Sequence, residues 1–270
     1  MSLFETILYP LTWLLNHTIF YLYKGLCWLL SLILPSQYSN IFDEFMLIFW
    51  DGIIRTMYLA LFGTLFGLVI AIILGIIRSI KVKKTDSTFV KIIKTVSNWI
   101  IKTYVTIFRG TPMMLQALII FNGLFFIFKW DVFDAALFTV TINTAAYLTE
   151  VIRASIENVD PGQMEAARSL GFSYAKAMFF IVFPQALKNS MASIGNEFVI
   201  NIKDTSVLNV IGCAEMYYVL RMNAGSTGFY VETLIAGALI YLILTFATTK
   251  LLNKIEKKLD APVKDFTSSN

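Results

Sequence analysis

The sequence predicts an all-α integral membrane protein, and three observations carry that expectation. Charged residues make up only 15% of the chain, hydrophobic residues 57%, and mean hydropathy is +0.69; soluble domains carry about 25% charged residues. No charge occurs between Arg55 and Arg78, a stretch long enough as a helix to cross ~30 Å of hydrocarbon. Lysine and arginine gather in two places, from Arg78 to Lys102 and after Lys250. This composition excludes a disordered chain, a secreted disulfide scaffold and an ordinary soluble enzyme. At about 20 residues per span plus loops, the 270 residues leave room for five to seven spans.

Residues 6–34 form the first apolar tract, broken by Pro10 and by Lys24-Gly25. It reads as one tilted span over 12–34 or as a helix plus an interfacial segment, with one span favoured. Pro35-Ser36 ends it. The stretch up to Asp51 carries Asp43, Glu44 and Asp51 without a positive charge, and reads as an outside loop with an interfacial part. The next span lies between Arg55 and Arg78, where Gly63, Gly67 and Gly75 allow close helix approach. Arg78, Lys81, Lys83, Lys84, Lys91, Lys94 and Lys102 then face only Asp86. The positive-inside rule makes this segment cytoplasmic. The chain re-enters near 95–105 and runs to about 128, kinked at Arg109-Gly110-Thr111-Pro112. A short outer loop with Lys129, Asp131 and Asp134 precedes a span over 135–156. A cytoplasmic segment, a less apolar span over 185–202, a long outer segment over 204–230 and a last span over 231–249 follow. Lys250, Lys254, Lys257 and Lys258 fix the C-terminus inside. The count is six, with both termini cytoplasmic.

One cytoplasmic stretch differs from the rest: Asp160-Pro161-Gly162-Gln163-Met164-Glu165-Ala166-Ala167-Arg168-Ser169-Leu170-Gly171. Asp160 suits an N-cap and Pro161 the first helical position, and Gln163 completes a capping-box arrangement. Gly171 suits the stop just past the helix end. The resulting helix is about 15 Å long at 1.5 Å per residue, too short to span. Met164, Ala167 and Leu170 or Gly171 share a face, and Glu165 and Arg168 are spaced to pair across one turn. Ala166 and Ala167 let another surface approach the backbone. From these residues alone the helix reads equally as a plug for a partner's groove or as a well-capped connector.

Glu165-Ala166-Ala167, Gly171, Ile181 and Pro184 resemble the EAA signature of ABC-importer permeases, with Phe183 where that family usually has Leu. Arg109-Gly110-Thr111-Pro112-Met113-Met114-Leu115-Gln116 is similar to the RGTP segment of the polar-amino-acid subfamily. Ala146-Tyr147-Leu148-Thr149-Glu150-Val151-Ile152-Arg153 resembles its AY-x-x-E-x-x-R segment. Asn196-Glu197-Phe198 and Lys203-Asp204-Thr205-Ser206 resemble its N-x-F and KDTS segments. The resemblance covers about residues 50–255. It implies a five-span type I importer core over 46–255, an extra N-terminal helix and outer loop over 1–45, and a cytoplasmic tail over 256–270. It also implies that Gln163, Glu165, Ala166, Ala167, Arg168 and Gly171 form a coupling helix docked on a separate ATPase. The implied partners are an ATPase subunit dimer, a second permease subunit (homo- or heterodimeric), an extracytoplasmic solute-binding protein, membrane lipid and an amino-acid substrate. The implied location is the bacterial plasma membrane.

No G-x-x-x-x-G-K-[ST] phosphate loop occurs, so ATP and Mg are expected on the partner and no cofactor on this chain, which is not itself an enzyme. Nucleic acid is not an expected partner. Cys27 and Cys213 have no metal spacing, His17 reads as a polar residue near a helix interface, and the potassium-channel TVGYG filter is absent. Polar residues inside spans remain. Asn143, Tyr147 and Glu150 share one helical face, and Glu197, Asn201 and Asp204 repeat that spacing. Intramembrane ionisable groups face a pathway or a partner. Glu150 reads equally as a pathway group or as Arg153's structural partner. Along the later stripe, acids would meet a substrate ammonium and Lys203 its carboxylate. The alternatives are a permease for another small solute, such as methionine or an opine, and a stand-alone secondary transporter or channel.

Overall fold

The computed structural model describes residues 39–80 and 82–259, and these are helical throughout, without strands. The elements are α1 (Ser39–Ser79), α2 (Thr88–Gly110), α3 (Met113–Phe128), α4 (Val132–Glu157), α5 (Pro161–Ser169) and α6 (Tyr174–Ala177). A π turn (Met178–Val182) leads into α7 (Phe183–Asp204). A 3₁₀ segment (Thr205–Ile211), α8 (Met216–Thr227) and α9 (Tyr230–Leu259) complete the chain. The tract over 12–34, His17 and Cys27 lie outside the described residues.

The central packing is α1 against α4, and its chemistry is that of helices meeting without a hydrophobic driving force. Both surfaces are small. Ala60, Ala71, Ala135, Ala136, Ala145 and Ala146 are fully buried. A Cβ on Gly63 would stand 2.4 Å from Val140 Cγ1, and one on Gly75 would stand 2.7 Å from Ile152 Cγ2. Hydroxyls on this face satisfy themselves inside their own helices: Thr64, Thr139 and Thr149 donate to carbonyls four residues back at 2.6–2.7 Å. The glycines therefore act at close approach, as the sequence predicts.

Three helices are long and apolar enough to cross a membrane among the described residues: Phe49–Ser79, Val132–Glu157 and Thr233–Lys258. A fourth crossing follows if α2 and α3 traverse together, bent by 111° at their junction. In the most apolar part of α4, 67% of residues are buried, against 6% in that of α9. α4 is thus the central post, and α9 offers its surface outward.

Several expectations change. The stretch before Asp51 is the start of α1 rather than a loop. α2 begins at Thr88, ahead of the membrane entry expected near 95–105, and Ser87 caps it by accepting from the Val90 N–H. The segment over 204–230, expected as a long outer segment, is helical, and its Leu208, Ile211, Met216 and Leu220 are buried core residues. α7 lies where the 185–202 span was expected, but its composition does not meet the hydropathy of a membrane crossing. The π turn precedes Pro184, which has no N–H to continue a regular ladder.

Candidate functional site

α5 stands at the end of α4, and local sequence builds it. The Asp160 carboxylate accepts from the Gly162 N–H at 2.9 Å, with Pro161 beginning the helix. At the other end the Phe172 N–H bonds the Ala167 carbonyl and the Gly171 N–H bonds that of Arg168, both at 3.1 Å. Gly171 has φ +88°. This is the paired-bond stop that a left-handed residue permits, and only glycine adopts that backbone without strain.

Three details differ from expectation. The capping box does not close, since Gln163 turns its side chain toward Gln185 Nε2 at 3.4 Å. Arg168 does not pair with Glu165 and donates to the Phe172 carbonyl at 2.9 Å. Leu170 is 80% exposed, so the inward face is only Ala167, which is buried, and Met164, which packs against the cluster of Ile156, Val159 and Met178. Gln163, Glu165, Ala166 and Arg168 are all exposed. The helix thus offers nearly its whole outer surface.

Beside α5, charges tie α1 to α4. Glu150 accepts from both Arg78 and Arg153, and Arg153 also donates to Glu157. The side chains of Arg78, Glu150 and Arg153 keep 12–27% of their exposure. In the α1–α2 connection, Lys94 pairs with Asp86 at 2.7 Å. The Lys94 bond first, and the Lys83 N–H second, hold the Asp86 carboxyl below the usual aspartate range.

Within the helices, Gln116 repairs the break between α2 and α3. Its Nε2 donates to the Phe108 carbonyl at 2.9 Å, and to the carbonyl and hydroxyl of Thr111 at 3.0 and 2.8 Å. Asn143 donates to Gln116 Oε1 at 2.9 Å. Asn201 is 2% exposed and donates to the hydroxyls of Thr64 and Thr144 at 2.8 and 2.9 Å. Asn143 and Asn201 therefore hold helices together.

A different group collects around Tyr147. The Arg109 guanidinium lies 5.2 Å from its ring centre, and Arg109 and Asp204 are both within electrostatic reach of Glu197. Tyr147 is 36% exposed, Glu197 and Asp204 are half-buried, and Lys203 is exposed. Sequence reasoning missed Arg109 as a site residue, although it opens the Arg109-Gly110-Thr111-Pro112 segment. It also missed Glu215, which is fully buried. Glu215 caps α8 by accepting from the Tyr217 and Tyr218 N–H groups, and accepts from Tyr241 at 3.1 Å. A carboxylate inside so apolar a stretch was the available signal.

A family model described as "Binding-protein-dependent transport system inner membrane component" matches residues 91–261. The arginine transport system permease protein ArtQ of Bacillus subtilis is 35% identical over 211 residues, which is 77% of this chain and 91% of that protein. The probable glutamine ABC transporter permease protein GlnM of the same organism is 31% identical over 82% of this chain and 97% of its own length. Among solved structures, an amino acid ABC transporter with histidines shares 34% identity at a TM-score of 0.69, over 81% of this chain and 97% of that one. The methionine ABC transporter MetNI, at 14% identity and a TM-score of 0.68, shows the fold alone. The chain belongs to the family of binding-protein-dependent transport system inner membrane components, and its helices take the type I ABC importer permease fold.

Proposed function

We propose that this chain is the permease subunit of an ATP-driven importer that carries a polar amino acid across a bacterial plasma membrane. The observation that carries the reading is α5: a capped helix with Gln163, Glu165, Ala166 and Arg168 exposed and only Met164 and Ala167 packed inward. A connector needs no such outer surface, whereas a partner's groove does. In this reading a dimeric ATPase binds the helix from the cytoplasm, and a second permease subunit completes the pathway. A solute-binding protein delivers substrate from outside. The ATPase holds ATP and Mg, and its closure pulls on α5. Met164, packed against the cluster of Ile156, Val159 and Met178, then passes the movement to the spans.

The names of the relatives, together with the chemistry around Tyr147, support a polar amino acid. Arg109 offers a partner for a carboxylate, and Glu197 and Asp204 offer charge to an ammonium. The exposed ring of Tyr147, beside Arg109, is a second cation surface. The basic tail Lys250, Lys254, Lys257 and Lys258 supports a cytoplasmic C-terminus.

The test is coexpression with a candidate ATPase and binding protein, then reconstitution in vesicles. Copurification of the ATPase and ATP-dependent uptake of one among arginine, glutamine, histidine and cystine are expected. Uptake that proceeds without any ATPase would overturn the reading in favour of a stand-alone carrier. Uptake of methionine or an opine in place of these four would overturn only the substrate class.

A further inference from the structure

A cavity of about 580 Å³ opens between the α1–α2 connection and the start of α5. Its floor is apolar, with Ile156, Val159, Met178 and Val182, and its rim carries Lys83, Lys94, Asp86, Glu157 and Asp160. The three acids are engaged. Asp86 pairs with Lys94 at 2.7 Å, Glu157 pairs with Arg153, and Asp160 accepts from the Gly162 N–H. Asp86, held below the usual aspartate range, keeps its charge and its partner at neutral pH. Lys83 faces the Tyr174 ring, with its Nζ 5.2 Å from the centre. It makes no ion pair among the described residues. Lys84 beside it is exposed, and Lys91 reaches back to the Lys84 carbonyl at 3.0 Å. The lining itself holds two lysines against three acids. With Lys84 and Lys91 beside it the basic groups outnumber those acids four to three, and the Lys83–Lys84 edge of the mouth is the part that suits an anion.

Two observations choose the source of that anion. The uncharged part of α1 ends at Arg78, which puts Ser79 and the cavity rim at headgroup depth. α2, which supplies Lys94, also turns Phe89, Ile92 and Trp99 outward at 73, 57 and 67% exposure. A basic segment joined to an exposed apolar helix face is the pattern of a lipid-surface contact, and a soluble anion has no use for that face.

We propose that the phosphate of an anionic phospholipid docks on Lys83 and Lys84 at this mouth, with its tails on the exposed apolar face of α2. Asp160, Pro161 and Met164 line the same cavity, so an occupying headgroup braces α5 against the α1–α2 connection. This bracing role rests on the importer reading; the binding does not.

The binding test uses the full chain in nanodiscs of phosphatidylcholine with a minor share of phosphatidylglycerol, and native mass spectrometry counts the retained phosphatidylglycerol. Lys83→Gln with Lys84→Gln is expected to lower retention, roughly fivefold for each lysine removed, and Arg at both positions to restore it. Lys254→Gln with Lys257→Gln, on the other basic cluster, is expected to leave it nearly unchanged. Equal losses from both pairs would mean a general surface potential, and no loss from the first pair would mean no site; either overturns the proposal. Millimolar glycerol 3-phosphate should not displace the lipid, and displacement would assign the site to a soluble phosphate. In the reconstituted importer, phosphatidylglycerol should raise uptake per ATP for the wild type and not for the Gln pair. Lipid retention with no such rise keeps the site and removes the bracing, while failure of all ATP-dependent uptake strikes the importer reading alone.

Discussion

The side-chain amide of Asn143 donates to Gln116 across 2.9 Å, joining α4 to the break between α2 and α3. Gln116 passes the connection on to Phe108 and Thr111. The carbonyls it serves sit at the C-terminal end of α2, where no further turn is available to satisfy them. Inside a membrane such groups are costly to leave bare. Gln116→Leu should therefore destabilise the folded chain by about 1–3 kcal/mol for each carbonyl left bare. A lowered melting temperature in detergent, with transport falling alongside, is the expected result. Unchanged melting would show that water or lipid headgroups replace the amide.

Glu150 sits between Arg78 and Arg153. Removing it strands the Arg78 guanidinium, while Arg153 keeps Glu157. A fully buried pair would lose about 3–5 kcal/mol on such a change. Here the side chain of Glu150 keeps 27% of its exposure, so water screens the remainder and about 1–2 kcal/mol is the expected loss for Glu150→Gln. Arg78→Gln added to Glu150→Gln should recover part of it. A double-mutant cycle by thermal unfolding measures this, and additive losses would mean that the two side chains do not interact.

Gly63 meets Val140 with no room for a methyl group. Gly63→Ala should cost about 1–3 kcal/mol through overpacking, beyond any gain in helix propensity. Gly123 has nothing within 4 Å of its Cβ position, so Gly123→Ala is the matched control and should not destabilise. The comparison of the two melting temperatures checks the α1–α4 contact directly.

What the sequence made legible was local. The caps of α5, the stop at Gly171 and the small face of α1 follow from residues close together in the chain. What it hid was set by distant partners. Glu150 stood undecided because Arg78, which resolves its packing, lies 72 residues away. The stretch over 204–230 read only as an outer segment because its glycines punctuate it, while the contacts that bury Leu208, Met216 and Glu215 come from α1, α3, α4 and α9. Helical spacing put Asn201 beside Glu197, yet Thr64 and Thr144 take its amide.

That separation makes a prediction about the pathway. Asn201→Leu should lower stability, since two hydroxyls lose their donor and a larger side chain enters a tight contact. Glu197→Gln and Tyr147→Ala should leave assembly and melting nearly intact while cutting uptake at least tenfold. Size-exclusion yield and melting measure the first effect and vesicle uptake the second. Normal uptake with both pathway variants would remove the Tyr147 cluster from the substrate route.

α5 separates mechanical from structural roles most sharply. At Gly171 the backbone is left-handed, φ +88°, and nothing lies within 4 Å of an added Cβ. A substitution there meets no neighbour, so its cost is the backbone strain alone, on the order of 1 kcal/mol or more. That cost falls on the stop of a helix whose outer face is already exposed, and the fold should survive it. Glu165→Lys touches no ion pair of this chain among the described residues, and reverses a charge offered to the partner. Gly171→Asp and Glu165→Lys should therefore insert and melt near the wild type. They should bind the ATPase weakly, or let it hydrolyse ATP without substrate moving. ATPase activity, uptake and complex yield measured on one preparation distinguish these results. Wild-type uptake in both variants would reduce α5 to a connector and remove the mechanical link from the importer reading.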